Sequence, residues 1–385
     1  MYLELMIKKY IAFVKREAVL CIAVLLALVS MFFVPPDAEY AGYIDLRTLG
    51  ILFCLMTVVA GLKGLGVFSV LAQKLLKRVR TVRGLVIALV LMCFFFSMVI
   101  TNDVALITFV PFTFELLRLA GEQAEREWLV SAVAMQTAAA NLGSMLTPLG
   151  NPQNLYLYGR AGMTAGELVA LMLPYSALSL AMIMLWIALR RGGGSISVRF
   201  EEKREIAGKK RLVMYIALFA VCLLAVLRVI WWQAAAAVVL VCVLAADRGV
   251  LRGVDWGLLA TFVGFFVFVG NMGRIPALRQ LLESVVAGNE VLTAAASSQI
   301  ISNVPAALLL SGFTQDMRGL IIGTDLGGLG TLIASMASLI SYKQLCAQRP
   351  QEKGRYMLCF TVSNVVMLAA LLGEYFALRA LGAYS

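Results

Sequence analysis

Between Leu85 and Leu119 an otherwise apolar run is interrupted by the polar triplet Thr101-Asn102-Asp103. Lipid hydrocarbon offers no partner for a carboxylate or for freed backbone groups. An interruption at membrane depth must therefore face protein or a polar cavity. A weaker echo lies far downstream in IISNVPAALLL, where Ser302-Asn303 separates two short apolar arms. If both are hairpins whose tips meet near the midplane, together they define a transport site.

Composition supports the membrane reading. Hydrophobic residues make up 61% of the chain and charged residues 14%, far from the balance of a soluble domain. The 385 residues leave room for roughly ten helical spans of about 20 residues each. Long apolar runs recur along the whole length, so one secretory signal does not explain them. The fold class is an all-α polytopic membrane protein. The net charge of +11 then reads as orientation in the bilayer, not as nucleic-acid binding. The seven cysteines are scattered without a CxxC and read as small core residues. The chain has no histidine, which removes the commonest metal ligand and proton relay. Any titrating group in the membrane is a carboxylate, and no cofactor is implied beyond a coupling Na⁺ or H⁺.

In chain order, residues 1–41 give a basic amphipathic leader and a first span, Val19–Val34. A second span, Leu46–Leu62, precedes an interfacial helix over Gly66–Arg83. The hairpin near 101–103 follows, then GEQAEREW as a charged surface turn, a broken helix at 141–154 and a span over Leu168–Leu189. The polar segment 190–211 is a cytoplasmic linker, and connecting spans fill 212–251. Residues 252–345 carry the second hairpin near 302–303 and a broken helix at 325–338, and 346–385 hold the final span. With the N-terminus inside and the first hairpin re-entrant, the basic clusters at 8–16, 74–83, 190–211, 248–252 and 343–355 all fall on the cytoplasmic side. The C-terminus is then outside. One straight span through Thr101–Asp103 would put the 190–211 cluster outside.

The segments 42–189 and 252–345 repeat each other in pattern. Gly42–Leu65 aligns with Arg252–Ile275, and SMVITNDVA aligns with SQIISNVPA. Ala140–Tyr158 aligns with Thr324–Tyr342, sharing the identities Leu142/Leu326, Gly143/Gly327, Thr147/Thr331, Leu155/Leu339 and Tyr158/Tyr342. Asn141 pairs with Asp325. In the topology above the two copies run in opposite directions, and broken helices in corresponding places of inverted repeats mark a midplane substrate site.

Each tip joins the C-terminal end of one half-helix, which attracts a cation, to the N-terminal start of the next, which attracts an anion. Thr101 and Asn102 are expected to cap an arm beginning at Val104. Ser302 and Asn303 do the same for Val304-Pro305. Asp103 would bind a cation or carry a proton, unless its helix N-terminus alone stabilises it. Asp325 is similar but is expected nearer an interface and partly wet. The breaks expose backbone groups at little steric cost. Asn141, Gly143, Ser144, Thr147, Gly150, Asn151 and Asn154 supply neutral oxygens and amides in the first. Gly327, Gly328, Thr331, Ser335 and Ser338 do so in the second. Na⁺ is expected at Asn102, Asp103 and Asn303. Gly61, Gly64 and Gly66 read as helix packing, and Phe94–Phe96 and Trp231-Trp232 as packing and interface anchors.

TNDVALITFVPF, NLGSMLTPLGNPQNL, SNVPAALLL and GTDLGGLGTLIASMASLISYK resemble the ion transporter superfamily over about Gly42–Leu345. They are most similar to its citrate-transporter-like permeases, relatives of divalent anion/sodium symporters and arsenite permeases. The resemblance implies a homodimer with scaffold and transport domains and an elevator-type motion. It also places the cation and substrate loops at Thr101–Asp103, Thr147–Asn154, Ser302–Pro305 and Gly327–Ser338. Dicarboxylate/sodium symporters carry Ser-Asn-Thr at both tips, whereas this chain has Thr-Asn-Asp and Ser-Asn-Val. An Asn-Asp tip is more like the arsenite permeases and sodium/proton antiporters.

The expected function is secondary active transport of a small anion, a carboxylate or an inorganic oxyanion, across the cytoplasmic membrane, coupled to Na⁺ or H⁺. A sodium/proton antiporter or arsenite exporter on the same fold is the alternative. An enzyme is not expected, because the chain has no HExxH, no GxSxG and no histidine.

Overall fold

The computed structural model describes residues 17–77, 79–190 and 208–382, together with Met6, Gly192, Gly194 and Ile206. Most of the basic leader and of the 190–211 linker lies outside the described residues. Among those described, the chain is helical with no strand.

The first helices are α1 (Ala18–Phe33), α2 (Leu46–Gly64) and α3 (Val67–Leu76). Next come α4 (Val82–Ile100), α5 (Asn102–Leu119), α6 (Glu122–Ser144), α7 (Pro152–Ala161) and α8 (Ala165–Leu189). The second half runs α9 (Lys209–Val226), α10 (Trp232–Ala246), α11 (Trp256–Gly273), α12 (Pro276–Val286), α13 (Glu290–Ile301) and α14 (Asn303–Leu310). It ends with α15 (Met317–Leu326), α16 (Met336–Gln348) and α17 (Lys353–Ala380). Five helical stretches among the described residues are long and apolar enough to cross a membrane: α2, α4, α8, α11 and the stretch 350–380 that contains α17. This is a polytopic all-α membrane protein.

Three local expectations shift. The helix expected at the interface, α3, is shorter than Gly66–Arg83, because Thr81 starts a new helix by accepting the Gly84 N–H at 3.1 Å, and Arg83 belongs to α4. The charged stretch after Gly121 is not a surface turn. It forms the opening of α6, where Glu122 and Glu125 suit the positive end of the helix dipole. Of the three glycines read as packing positions, Gly61 lies against the Tyr215 ring and Gly64 meets nothing within 4 Å, while Gly66 (φ 76°) makes the turn into α3.

The chain forms two compact units. One comprises Met1–Ala60, Leu218–Asn289 and Leu308–Gln315; the other comprises Gly61–Ala217, Glu290–Ala307 and Asp316–Ser385. In the first, Gly264 of α11 sits against the Ala23 backbone of α1, a close approach that only a small residue allows. Asn271 donates to Ser30 Oγ and to the Tyr40 hydroxyl, each at 2.8 Å. On the adjoining loop Arg274 pairs with Asp37 at 2.8 Å and Glu39 at 3.5 Å.

The Arg274 guanidinium holds the Asp37 carboxyl below the usual carboxylate range. A lowered acid pKa means the pair's contribution is present above the unfolded value, near pH 4, and is lost as pH falls through the folded one. Both groups are open to solvent, so the effect is small. Arg274→Gln is expected to return Asp37 towards its ordinary titration, read by NMR of the Asp37 carboxyl carbon. An unchanged titration would refute the pairing.

Every position predicted for the site falls in the second unit. There the first hairpin is real. Phe96 of α4 and Phe109 of α5 place their ring centroids 5.1 Å apart, whereas one continuous helix would separate them by about 20 Å. Tyr356 of α17 meets Thr137 of α6, hydroxyl to hydroxyl, at 3.3 Å.

Candidate functional site

The two tips are built alike. Thr101 and Ser302 have φ values of 72° and 73°, two of three non-glycine residues with positive φ among the described residues. Each ends one helix and starts the next. The side-chain caps differ from expectation, because α5 and α14 begin one or two residues early, at Asn102 and Asn303. Asn102 Oδ1 accepts the Asp103 N–H at 2.8 Å, and Asn303 Oδ1 accepts the Val304 N–H at 3.0 Å. Pro305 follows in the first turn of α14, where its missing N–H costs nothing.

Each tip docks on the break of its own half. The Asn102 N–H donates to the Gly150 carbonyl at 3.2 Å, and the Asn303 N–H to the Ala334 carbonyl at 2.9 Å. Thr147 Oγ1 donates to the Met98 carbonyl, and Thr331 Oγ1 to the Gln299 carbonyl at 3.0 Å. Gly143 presses on Phe94 and Ser97, and Gly327 on Ala295 and Ser298. Every pair here except Phe94/Ala295 lies within the aligned blocks of the sequence repeat.

The breaks also reach into each other's halves. Asn141, at the end of α6, accepts Asn102 Nδ2 at 3.1 Å and Ser335 Oγ at 2.9 Å. It donates to the Gly328 carbonyl and to Ser338 Oγ, both at 3.4 Å. Asp325, at the aligned end of α15, meets the side chains of Asn151, Gln153 and Asn154. Asn151 and Ser335 are aligned, as are Asn154 and Ser338, so each half supplies the polar partners of the other's residue. One network therefore joins the first tip through Asn141 to the second break, on which the second tip docks.

Burial sorts the acids. Asp103 is half-buried, while Asp325 is only 2% exposed. The expectation of a wet Asp325 is overturned, because amides from the first break surround it. Gly143, Ser144, Gly150, Asn151, Asn154, Gly327 and Gly328 are buried, Thr147 is half-buried and Thr331 exposed. Among the described residues no three His, Cys, Asp or Glu side chains come together to hold a metal.

Two working residues carried no sequence signal. Gln299 accepts the Thr331 N–H at 2.9 Å and donates to the Gly327 and Leu329 carbonyls at 2.9 Å, so one side chain shapes the second break. Gln153 donates to Asp325 Oδ1 at 3.4 Å. Both lie beside recognised motifs, and a glutamine is visible as a clamp only once its neighbours are known.

Comparison with known proteins identifies the family. A family profile described as "CitMHS: Citrate transporter" matches residues 2–337. The chain is 33% identical over 320 residues to "Inner membrane protein YbiR" of Escherichia coli (strain K12), covering 81% of this chain and 83% of that protein. It is 30% identical over 338 residues to "Uncharacterized transporter MJ0456" of Methanocaldococcus jannaschii, covering 86% and 90%. A shorter match, 36% over 122 residues, is to "Silicon efflux transporter LSI3" of Oryza sativa subsp. japonica, covering 31% and 24%. The chain belongs to the citrate transporter family of membrane transporters.

Proposed function

We propose that the protein is a secondary active transporter that moves a small anion, a carboxylate or an inorganic oxyanion, across the cytoplasmic membrane. Coupling is to Na⁺ or H⁺. The observation that carries this reading is the Asn141 bridge, which ties one hairpin tip to the break that docks the other. Helix N-termini at the tips favour the anion, and carbonyls freed in the breaks favour a cation. The aligned hydrogen bonds support two inverted repeats around one site, the plan of midplane transporters. Elevator motion, a homodimer and a cytoplasmic N-terminus belong to the same proposal.

The family's description favours a carboxylate substrate. A second reading, efflux of an inorganic oxyanion or cation exchange, draws on the Asp103 tip and on the name of the rice relative. Reconstituted vesicles separate the two. Labelled citrate, sulfate, silicate and arsenite are offered under an imposed Na⁺ or pH gradient. Accumulation of one anion above equilibrium, dependent on one gradient, is the expected result. Flux that only equilibrates would indicate a channel and sink the proposal.

A further inference from the structure

Arg47 and Arg228 lie far apart in the chain and outside the basic clusters that orient it, yet they share one cavity. It measures about 610 Å³ and is lined by both arginines together with Ile230, Trp231, Trp232 and Gln233. α2 begins here at Leu46, α9 ends at Val226 and α10 starts at Trp232. Because α2 is long and apolar enough to cross a membrane, a cavity at its first turn opens at the level of the lipid headgroups. Among the described residues that line it, none is acidic. Asp45, close to Arg47 in sequence, caps α2 instead, accepting the Thr48 N–H at 3.0 Å and the Thr48 hydroxyl at 2.6 Å.

The local backbone is shaped around these side chains. α9 ends in a Schellman turn, in which the Arg228 N–H donates to the Ala225 carbonyl at 3.1 Å and the Val229 N–H to the Leu224 carbonyl at 2.9 Å. Arg228 takes the left-handed position of that turn, with φ 62°, a place that glycine usually fills. A charged side chain kept there against the backbone preference points to a use for the charge. On α2, a Cβ at Gly50 would come within 2.6 Å of the Trp232 ring, so the bare glycine lets that ring lie flush. The tryptophan pair therefore divides: Trp232 packs on α2, while Trp231 is 83% exposed. Exposed apolar side chains also flank the arginines in sequence, Leu46 before Arg47 and Leu227 and Val229 on either side of Arg228.

Guanidinium groups match the geometry and charge of a phosphate, and an exposed tryptophan suits the boundary between headgroups and hydrocarbon. We propose that this cavity binds the phosphodiester headgroup of an anionic phospholipid, with Arg47 and Arg228 on the phosphate and Trp231 against the upper acyl chain. The apolar flanks favour a lipid over free phosphate, which would leave them uncovered. The site belongs to the first compact unit, whereas the tips and breaks belong to the second, and it does not depend on what is transported.

Melting of the full chain in detergent with added lipid tests the site. Phosphatidylglycerol is expected to raise the melting temperature saturably, whereas phosphatidylcholine and inorganic phosphate at matched ionic strength are not. Arg228→Gly removes the charge while suiting the left-handed backbone. It is expected to melt no lower than the native chain without lipid, yet to weaken the phosphatidylglycerol midpoint by about tenfold or more. Arg47→Gln should weaken it likewise, and carries the test if the glycine variant fails to fold. No response of the native chain to phosphatidylglycerol would overturn the inference, as would an equal response to phosphatidylcholine. An undiminished response in either folded variant would do the same. A response to inorganic phosphate equal to that of the lipid would overturn the lipid as occupant.

Discussion

Asn141→Leu is expected to abolish anion accumulation and to lower stability by about 3–5 kcal/mol, from the cost of about 1–3 kcal/mol for each buried polar group left unpaired. Leucine has the same number and branching of side-chain heavy atoms, so the loss is not a cavity effect. Asn102 Nδ2, Ser335 Oγ, Ser338 Oγ and the Gly328 carbonyl all lose their partner, and some recover part of the loss by local shifts. Asn141→Asp separates the two ends of the side chain. It keeps the acceptors for Asn102 and Ser335 but loses both donors, so its cost should be intermediate. Thermal unfolding of the purified variants and uptake into vesicles provide the measurements. A leucine variant as stable as the native chain would mean the bridge does not join the two tips energetically.

Gly143→Ala should be the most damaging of the small substitutions. The added carbon would overlap the Phe94 carbonyl oxygen and lie 2.8 Å from Ser97 Oγ, both on the helix that leads into the first tip. Backbone yields poorly, so α4 and α6 must move apart. Overpacking of this kind costs about 1–3 kcal/mol, occasionally more. Because the Asn102 N–H bonds a carbonyl in the break just beyond Gly143, the shift should also displace the tip and impair transport. Gly64→Ala is the matched control. Its added carbon meets nothing within 4 Å, and alanine is the better helix former by roughly 1 kcal/mol. Equal melting temperatures for the two variants would refute the close approach.

Much of this architecture was legible because membrane helices write themselves as composition, and their interruptions as polar or glycine-rich stretches. The polar triplet and the charge placement both pointed to a hairpin at Thr101–Asp103, and Phe96 and Phe109 do meet across the turn between α4 and α5. The start of each second arm was misplaced because the turn depends on a positive φ at Thr101 and Ser302, residues that normally avoid it. The burial of Asp325 was illegible for a different reason. Its cover comes from Asn151, Gln153 and Asn154, and no local pattern in GTDLGG reports a partner that far away. The compact units were equally hidden, since each is assembled from three separate stretches of chain.

Thr101 combines φ 72° with ψ 152°, a region occupied almost only by glycine and costing of order 1–3 kcal/mol. The hydrogen bond from the next residue's N–H to the Gly150 carbonyl contributes a net of about 1 kcal/mol. These magnitudes are comparable, so the bond to the break offsets the backbone cost that the tip carries, and the turn and the break depend on each other for their geometry.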